Sequence, residues 1–248
     1  MGYRSPTNAE REPATPAMSD KARNLLLFLF NHRFLAVARW EFHFLRLRCW
    51  NFLTGQRRRI RQDLASRSAP LFLNLGSGPR GRGDRHWVNV DGCPDKNVEY
   101  LVDFGRTLPF EAGTFDGVFC EHVLEHFSLE EGLRIASDVR RLLRPGGSFR
   151  IVVPDGELIM RRYFDAPGEL IARRGDGVGT AMEQVNTYFR QRYEHQFIYD
   201  WTTMEKILHE AGFDQVVRAS FGRSACVPIV LDDQKYEWES LYVEARRS

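Results

Sequence analysis

The stretch that most constrains the fold is residues 71–79, LFLNLGSGP, in which a short apolar run ends at two glycines one residue apart. An uninterrupted apolar run of this length is typical of a parallel strand buried on both faces. Gly76 and Gly78 predict a tight turn in which bare backbone can approach a ligand. We therefore expect an α/β fold with a ligand site at the carboxyl end of this strand. The motif alone does not separate the nucleotide-binding folds, because the third glycine of a dinucleotide fingerprint is not clearly placed.

Further motifs follow it in order along the chain. Residues 87–91 and 100–104 are predicted as short strands, and each carries an aspartate at or near its end. Residues 114–120 lead into the segment EHVLEH at 121–126, and RPGG precedes a strand at 149–153. Several motifs in one order are far more specific than any one of them.

This ordered series resembles the class I S-adenosylmethionine-dependent methyltransferases, in particular their type 11 small-molecule branch. The resemblance covers residues 70–155 well and residues 195–246 more loosely. It implies a Rossmann-like α/β sheet of seven mostly parallel strands with an antiparallel last strand. It also implies S-adenosylmethionine as the cofactor.

The resemblance assigns the cofactor contacts to the carboxyl ends of the first four strands. The glycine turn would hold the methionine part, and Asp91 would bind the ribose hydroxyls. Asp103 and Phe104 resemble the family's adenine clamp, although an acid at a turn also has an ordinary structural role. The predicted cofactor-binding residues are Asn74, Gly76, Gly78, Asp91, Asp103, Phe104 and Glu121.

The segment 121–126 carries the predicted chemistry. If it is helical, His122 and His126 share one face, and the two glutamates lie on a neighbouring face. The candidate catalytic residues are His122, Glu125 and His126, one of which would act as general base on a substrate hydroxyl. A helix N-terminus that uses Glu121 to satisfy backbone amides is the structural alternative. A similar cluster in ubiquinone-pathway O-methyltransferases can bind a divalent cation, but His122 departs from that pattern, and our prediction is a site without metal.

Residues 156–199 are predicted as an insertion on the substrate side. Its arginines could meet an acidic substrate or could line a solvated helix face. The segment HQFIYD at 195–200 resembles one common in this branch, which makes His195 and Tyr199 candidates for the acceptor pocket. We expect O-methylation of a small-molecule or glycan-type acceptor. The alternatives are a non-catalytic methyltransferase-like binding subunit and a nicotinamide-dependent oxidoreductase. In a dinucleotide-binding fold the acid that binds the ribose follows the glycine turn by about 20 residues, whereas Asp91 follows Gly76 by 15.

The charge is divided unevenly along the chain. Residues 1–68 carry a balance of +8, whereas the remaining 180 residues carry −6. We predict a disordered tail at 1–20, a basic amphipathic helical extension at 21–68 and a methyltransferase domain at 69–248. Four cysteines without paired spacing and the lack of a visible signal peptide favour a cytosolic protein with reduced thiols. The charge pattern does not predict nucleic-acid binding by the catalytic domain.

The N-terminal helices have two interpretations. Such a basic, aromatic segment can lie in a membrane interface, so peripheral membrane contact through residues 21–64 is one expectation. The spacing favours the other, because residues 79–87 and 92–98 are too short for parallel crossovers with helices. One sheet face would then be bare, and the extension would cover it with an apolar stripe of Leu27, Phe30, Phe34, Val37 and Phe44.

Overall fold

The computed structural model describes residues 28–30, 32–174 and 179–248. The predicted disordered tail and Leu27 lie outside these residues. The helices are α1 His32–Leu53, α2 Gln56–Ala65, α3 Leu129–Leu142, α4 Gly156–Asp165, α5 Pro167–Arg174, α6 Ala181–Arg190 and α7 Trp201–Glu210. The strands are β1 Phe72–Leu75, β2 Trp87–Asp91, β3 Tyr100–Leu101, β4 Phe115–Glu121, β5 Leu143–Pro154, β6 Gln215–Arg218 and β7 Ser240–Arg246.

The seven strands form one sheet in the order β3-β2-β1-β4-β5-β7-β6. Strands β1 to β5 are parallel, and β7 pairs antiparallel with both β5 and β6. This topology confirms the predicted fold class. The order reverses between β1 and β4, so the carboxyl ends of these two strands frame the crevice where such sheets bind ligands.

The short links between the first strands do lack crossover helices, as predicted. Only the single 3₁₀ turn Gly78–Arg80 lies between β1 and β2. One face of the sheet is covered by α3 and α7. The other face carries Phe72, Trp87 and Tyr242, and it is covered by irregular chain between β6 and β7 that includes Phe221 and Ile229.

A buried arginine holds that covering segment in place. Arg150 on β5 is fully buried and forms ion pairs with Asp232 at 2.5 Å and Glu244 at 2.8 Å. It also donates to the carbonyl oxygens of Ser220 and Arg223, both at 2.9 Å. A buried charge is tolerated only when it is paired and hydrogen-bonded in this way.

The N-terminal hairpin, α1 and α2, packs on the β3 edge of the sheet. Asn51 and Gln56 each donate a side-chain hydrogen bond to the carbonyl oxygen of Leu101, at 3.0 Å. Ile60 is buried in the main core. Both bonds are accepted by one carbonyl group of the edge strand, which would otherwise lack a partner on its open side.

The prediction of which residues the extension buries is wrong. Phe30, Phe34 and Val37 are exposed, and Phe44 is half-buried against Gly92. The face predicted to need the extension is instead covered by chain from the C-terminal part. The extension therefore docks on the sheet edge and not across the bare face.

Candidate active site at the carboxyl ends of the parallel strands

The glycine turn after β1 is built as predicted. Gly76 adopts φ +76°, and the amides of Gly76 and Ser77 donate to the carbonyl oxygen of Val90 at 2.9 and 3.0 Å. A Cβ added to Gly76 would lie 2.1 Å from Cγ2 of Val123. Glycine is therefore required here by the backbone conformation and by packing against the chain after β4.

Asp91 ends β2 beside this turn. Its carboxylate accepts hydrogen bonds from the backbone amides of Gly78 and Cys93, both at 2.9 Å. Each carboxylate oxygen retains a lone pair that can accept from a hydroxyl group. This position fits the predicted contact with a ribose.

The adenine clamp predicted at Asp103 and Phe104 is differently arranged. Asp103 lies 3.4 Å from the guanidinium of Arg48 on α1, a partner that the sequence analysis did not identify. Phe104 is buried in the core with its ring 6.5 Å from that of Phe127. The side chain of Asn74 is likewise buried and faces Asn89 at 3.5 Å.

Arg80 is a second charged residue that the sequence analysis missed. Its guanidinium forms an ion pair with Glu121 and lies 3.3 Å from Asp233. Glu121 also accepts from the backbone amide of Asp233 at 2.9 Å. Burial raises the pKa of Glu121, although Arg80 and this amide oppose the rise. No local signal marks Arg80, because its partners lie far away in the sequence.

The turn region fits the cofactor that the sequence implies. Ser77 has a buried hydroxyl oxygen without a hydrogen-bond partner among the described residues. Asp91 supplies acceptor positions for hydroxyl groups. Arg80 and Glu121 place a cation beside a carboxylate, and these charges complement the carboxylate and ammonium groups of the methionine part.

The segment 121–126 is not helical, so the predicted arrangement on helix faces is wrong. Strand β4 continues through Glu121, His122 adopts φ 53°, and Leu124–His126 is a 3₁₀ turn. The ring of His122 stacks on Tyr236 with centroids 3.8 Å apart. A left-handed conformation at a non-glycine residue is a costly feature that clusters at functional sites.

Glu125 lies at the centre of a histidine cluster. It is fully buried, and one carboxylate oxygen lies 3.2 Å from Nδ1 of His122. Burial raises the pKa of Glu125, but the neighbouring imidazoles of His122, His126 and His195 outweigh it and lower the pKa to about 2. Glu125 is therefore a carboxylate at neutral pH.

The turn at 124–126 meets the segment 194–197 from the far end of the insertion. The amides of Gln196 and Phe197 donate to the carbonyl oxygen of Glu125 at 2.8 and 3.2 Å. This pairing brings His195 against His126, with ring centroids 5.0 Å apart. Residues predicted separately as catalytic and as substrate-binding thus share one cluster.

Backbone contacts fix the tautomers of the two histidines. Nδ1 of His126 lies 3.2 Å from the carbonyl oxygen of Glu194, and Nδ1 of His195 lies 2.6 Å from that of Tyr188. A carbonyl oxygen can only accept, so each Nδ1 carries a proton and each neutral ring keeps a lone pair on Nε2. Burial lowers the pKa of His195 to about 4. A carboxylate oxygen of Glu125 and one nitrogen from each of these two rings lie within 4.8 Å of one another.

Tyr199, the other predicted substrate residue, packs in the main core beside this cluster. Its hydroxyl group is buried without a hydrogen-bond partner in the described part of the chain. A Cβ added to Gly132 on α3 would lie 2.3 Å from that oxygen.

The arginines of the insertion are largely engaged in local contacts. Arg161 pairs with Glu157 at 2.7 Å on an exposed helix face. Arg162 lies over the ring of Trp238 at 3.7 Å and donates to the carbonyl oxygen of that residue. The side chains of Arg174 and Arg192 lie outside the described residues. These contacts favour the structural interpretation for Arg161 and Arg162.

Comparison with known proteins supports the same family. Residues 84–151 match the family described as "Methyltransferase domain". This match confirms the resemblance to methyltransferases and, with it, S-adenosylmethionine as the cofactor, whereas the domain bounds 69–248 stay a prediction. The matched segment contains Asp91, Asp103 and the segment 121–126, but neither the glycine turn nor His195.

One curated relative is the tRNA (carboxymethyluridine(34)-5-O)-methyltransferase alkbh8 of Xenopus tropicalis. It is 40% identical over 72 residues, which are 28% of this chain and 11% of the relative. The chain thus aligns with a small part of that protein.

Two solved structures with the same broad architecture have low identity. The S-adenosylmethionine-dependent methyltransferase SibL is 20% identical, with a TM-score of 0.43 over 80% of this chain and 55% of its own. A possible histamine N-methyltransferase from Thermotoga maritima is 13% identical, with a TM-score of 0.47 over 75% of this chain and 88% of its own. Within the described residues, no helix is both long and apolar enough to cross a membrane.

Proposed function

We propose that this chain, through the methyltransferase domain that it contains, methylates a hydroxyl oxygen of a small-molecule or glycan-type acceptor. The observation that carries the proposal is the convergence of Glu125, His126 and His195 on one point. A carboxylate oxygen of Glu125 and one nitrogen of each ring lie within 4.8 Å of one another, and a substrate hydroxyl is a donor that such a cluster can bind.

The residues at the glycine turn would hold the cofactor. Asp91 would accept from the ribose hydroxyls, Ser77 would gain a partner for its buried hydroxyl, and Arg80 and Glu121 would bind the amino-acid end. S-adenosylmethionine supplies a methyl group bonded to a positively charged sulfur, which leaves as a neutral thioether. Alignment of the acceptor oxygen with that carbon supplies most of the rate enhancement in such a displacement.

The histidine cluster would remove the proton of the acceptor hydroxyl as the oxygen–carbon bond forms. The pKa of about 4 for His195 makes it a poor general base but a good neutral acceptor, which can orient the hydroxyl. His126 would then take the proton on Nε2, and the carboxylate of Glu125 would stabilise the imidazolium.

Two considerations support this acceptor class. The curated relative from Xenopus tropicalis is named as a methyltransferase that acts on an oxygen atom. Its acceptor is tRNA, but residues 69–248 of this chain carry a balance of −6, and a nucleic-acid acceptor generally requires a positive surface. We therefore propose oxygen as the methylated atom, as in that relative, but we do not propose RNA as the acceptor.

The test combines binding and turnover. A panel of hydroxylated acceptors is incubated with labelled S-adenosylmethionine, and the affinity for S-adenosylhomocysteine is measured by calorimetry. We expect His126→Gln to lower turnover by about 10²-fold or more while that affinity stays within about threefold, equivalent to less than 1 kcal/mol. His209→Gln, an exposed change on α7, is the matched control.

Each alternative has its own result. A labelled methyl group on nitrogen or carbon would contradict the oxygen assignment. Loss of activity with a chelator and its return with added divalent cation would give the cluster a metal-binding role instead. Binding of S-adenosylhomocysteine without transfer to any acceptor would favour a non-catalytic subunit, and binding of NAD in its place would favour an oxidoreductase.

A further inference from the structure

Helix α1 is apolar on two opposite sides. One side packs on the domain through Phe44 and the buried Leu47. The other side projects Phe34, Phe42 and Leu45, all exposed. At 100° per residue these three positions fall within one quadrant, about half a turn from Leu47. A helix that needed only to dock on its domain would carry a single apolar stripe.

The last turn of α1 carries further exposed apolar side chains. Phe52 is 86% exposed, Leu53 78% and Trp50 64%. We define the apolar surface as Phe34, Phe42, Leu45, Phe52 and Leu53, which share one side of α1, with Trp50 at its margin. Single exposed apolar residues are ordinary, but several along one side of one helix mark an interaction site.

The next helix adds positive charge to this surface. Arg57, Arg58 and Arg59 at the start of α2 are all exposed, only a few residues after Leu53. Arg46 is also exposed on α1. Arg61, by contrast, is paired with Glu111 at 2.6 Å. Aromatic and aliphatic side chains beside clustered arginines are the composition of segments that lie in the interface of an anionic membrane.

We propose that this apolar surface, with Arg57 to Arg59, docks in the interface of an anionic lipid bilayer, with α1 lying in the membrane plane. The leucines of the apolar surface favour lipid over nucleic acid, and the neighbouring arginines favour lipid over a second copy of the chain. Nucleic acid would use the arginines and could stack on Trp50, but it gains nothing from Leu45 or Leu53. A second copy of the chain would bring the same arginines into the contact and would repel itself there, whereas lipid phosphates neutralise them.

The experiment uses the full chain and lipid vesicles. Cosedimentation is measured with vesicles of phosphatidylcholine alone and of phosphatidylcholine mixed with phosphatidylglycerol. We expect binding to the mixed vesicles only, weakened by added salt. The double changes Phe52→Glu with Leu53→Glu and Arg57→Gln with Arg58→Gln should each weaken it by about tenfold or more.

Phe164→Glu is the matched control, since this residue is 71% exposed on α4 and outside the apolar surface. It should leave vesicle binding unchanged. A blue shift of the tryptophan emission on adding mixed vesicles should be present in the wild-type chain and absent in Trp50→Phe. Circular dichroism of each variant verifies that it is folded.

Three results would overturn the proposal. The first is no binding to the mixed vesicles. The second is an equal loss of binding in Phe164→Glu. The third is self-association, measured by sedimentation velocity, that Phe52→Glu abolishes while vesicle binding persists, because the surface would then join two copies of the chain.

Discussion

The buried imidazole of His195 predicts a defined loss of stability in mild acid. Its pKa in the folded protein is lowered to about 4, chiefly by burial, whereas an unfolded chain has a histidine pKa of about 6.5. The titratable groups that face it are Glu125, His126 and His122. The carboxylate opposes the depression of the pKa and the other imidazoles reinforce it.

The sign follows from proton binding. Between pH 6.5 and pH 4 the unfolded chain binds a proton at His195 that the folded chain does not, so the free energy of unfolding falls as the pH falls. The full difference in pKa of about 2.5 corresponds to roughly 3 kcal/mol, of which about 2 kcal/mol is lost by pH 5. For a chain of this size that loss lowers the melting temperature by roughly 5 °C.

The assay is urea denaturation of the wild-type chain and of His195→Gln at several pH values between 7.5 and 5. The glutamine variant lacks the titrating ring, so its free energy of unfolding should fall about 2 kcal/mol less than that of the wild type. His86→Gln, an exposed change, should follow the wild-type curve. Parallel curves for the wild type and His195→Gln would refute the reasoning.

Three further predictions concern the cofactor, the extension and the core. Asp91→Ala should weaken the binding of S-adenosylhomocysteine by about 1.5–3 kcal/mol in calorimetry, and unchanged affinity in a folded variant would remove Asp91 from the site. Ile60→Ala should lower the free energy of unfolding by about 2–4 kcal/mol, whereas Phe52→Ala should change it by less than about 0.5 kcal/mol. Equal effects of these two changes would contradict the docking of the extension through α2. Gly132→Ala should cost about 1–3 kcal/mol in the wild type but little in a Tyr199→Phe background, since the clashing oxygen is then gone. An unchanged cost in that background would show that the oxygen is not the obstacle.

The elements set by short-range signals could be predicted from the sequence. Strand β2 occupies the predicted residues 87–91. Ser128 and Glu131 form a capping box at the start of α3, a pattern of residues that is visible in the sequence. Each of these features depends on residues within a few positions of one another, where propensity and capping act directly.

The candidate site was only half visible in the sequence. The residue types in the segment 121–126 indicated a catalytic role. The helical arrangement considered for this segment does not form, because the chain turns at His122 with a positive φ. The partnership of His126 with His195 depends on backbone pairing across about 70 positions. Arg80 meets Glu121 and Asp233 by the same kind of long-range contact. No local pattern encodes such contacts.

The sequence by itself determined the order of the first strands along the chain, the glycine turn after β1, and the short links that leave one sheet face without helices. Only the tertiary structure decided what covers that face, because the ion pair between Arg150 and Asp232 holds the segment before Asp232 against it. It also decided which side of α1 is buried. Because both sides of that helix are apolar, burying one side gives nearly the same free energy as burying the other. The hydrogen bonds from Asn51 and Gln56 to the β3 edge fix which side faces the domain.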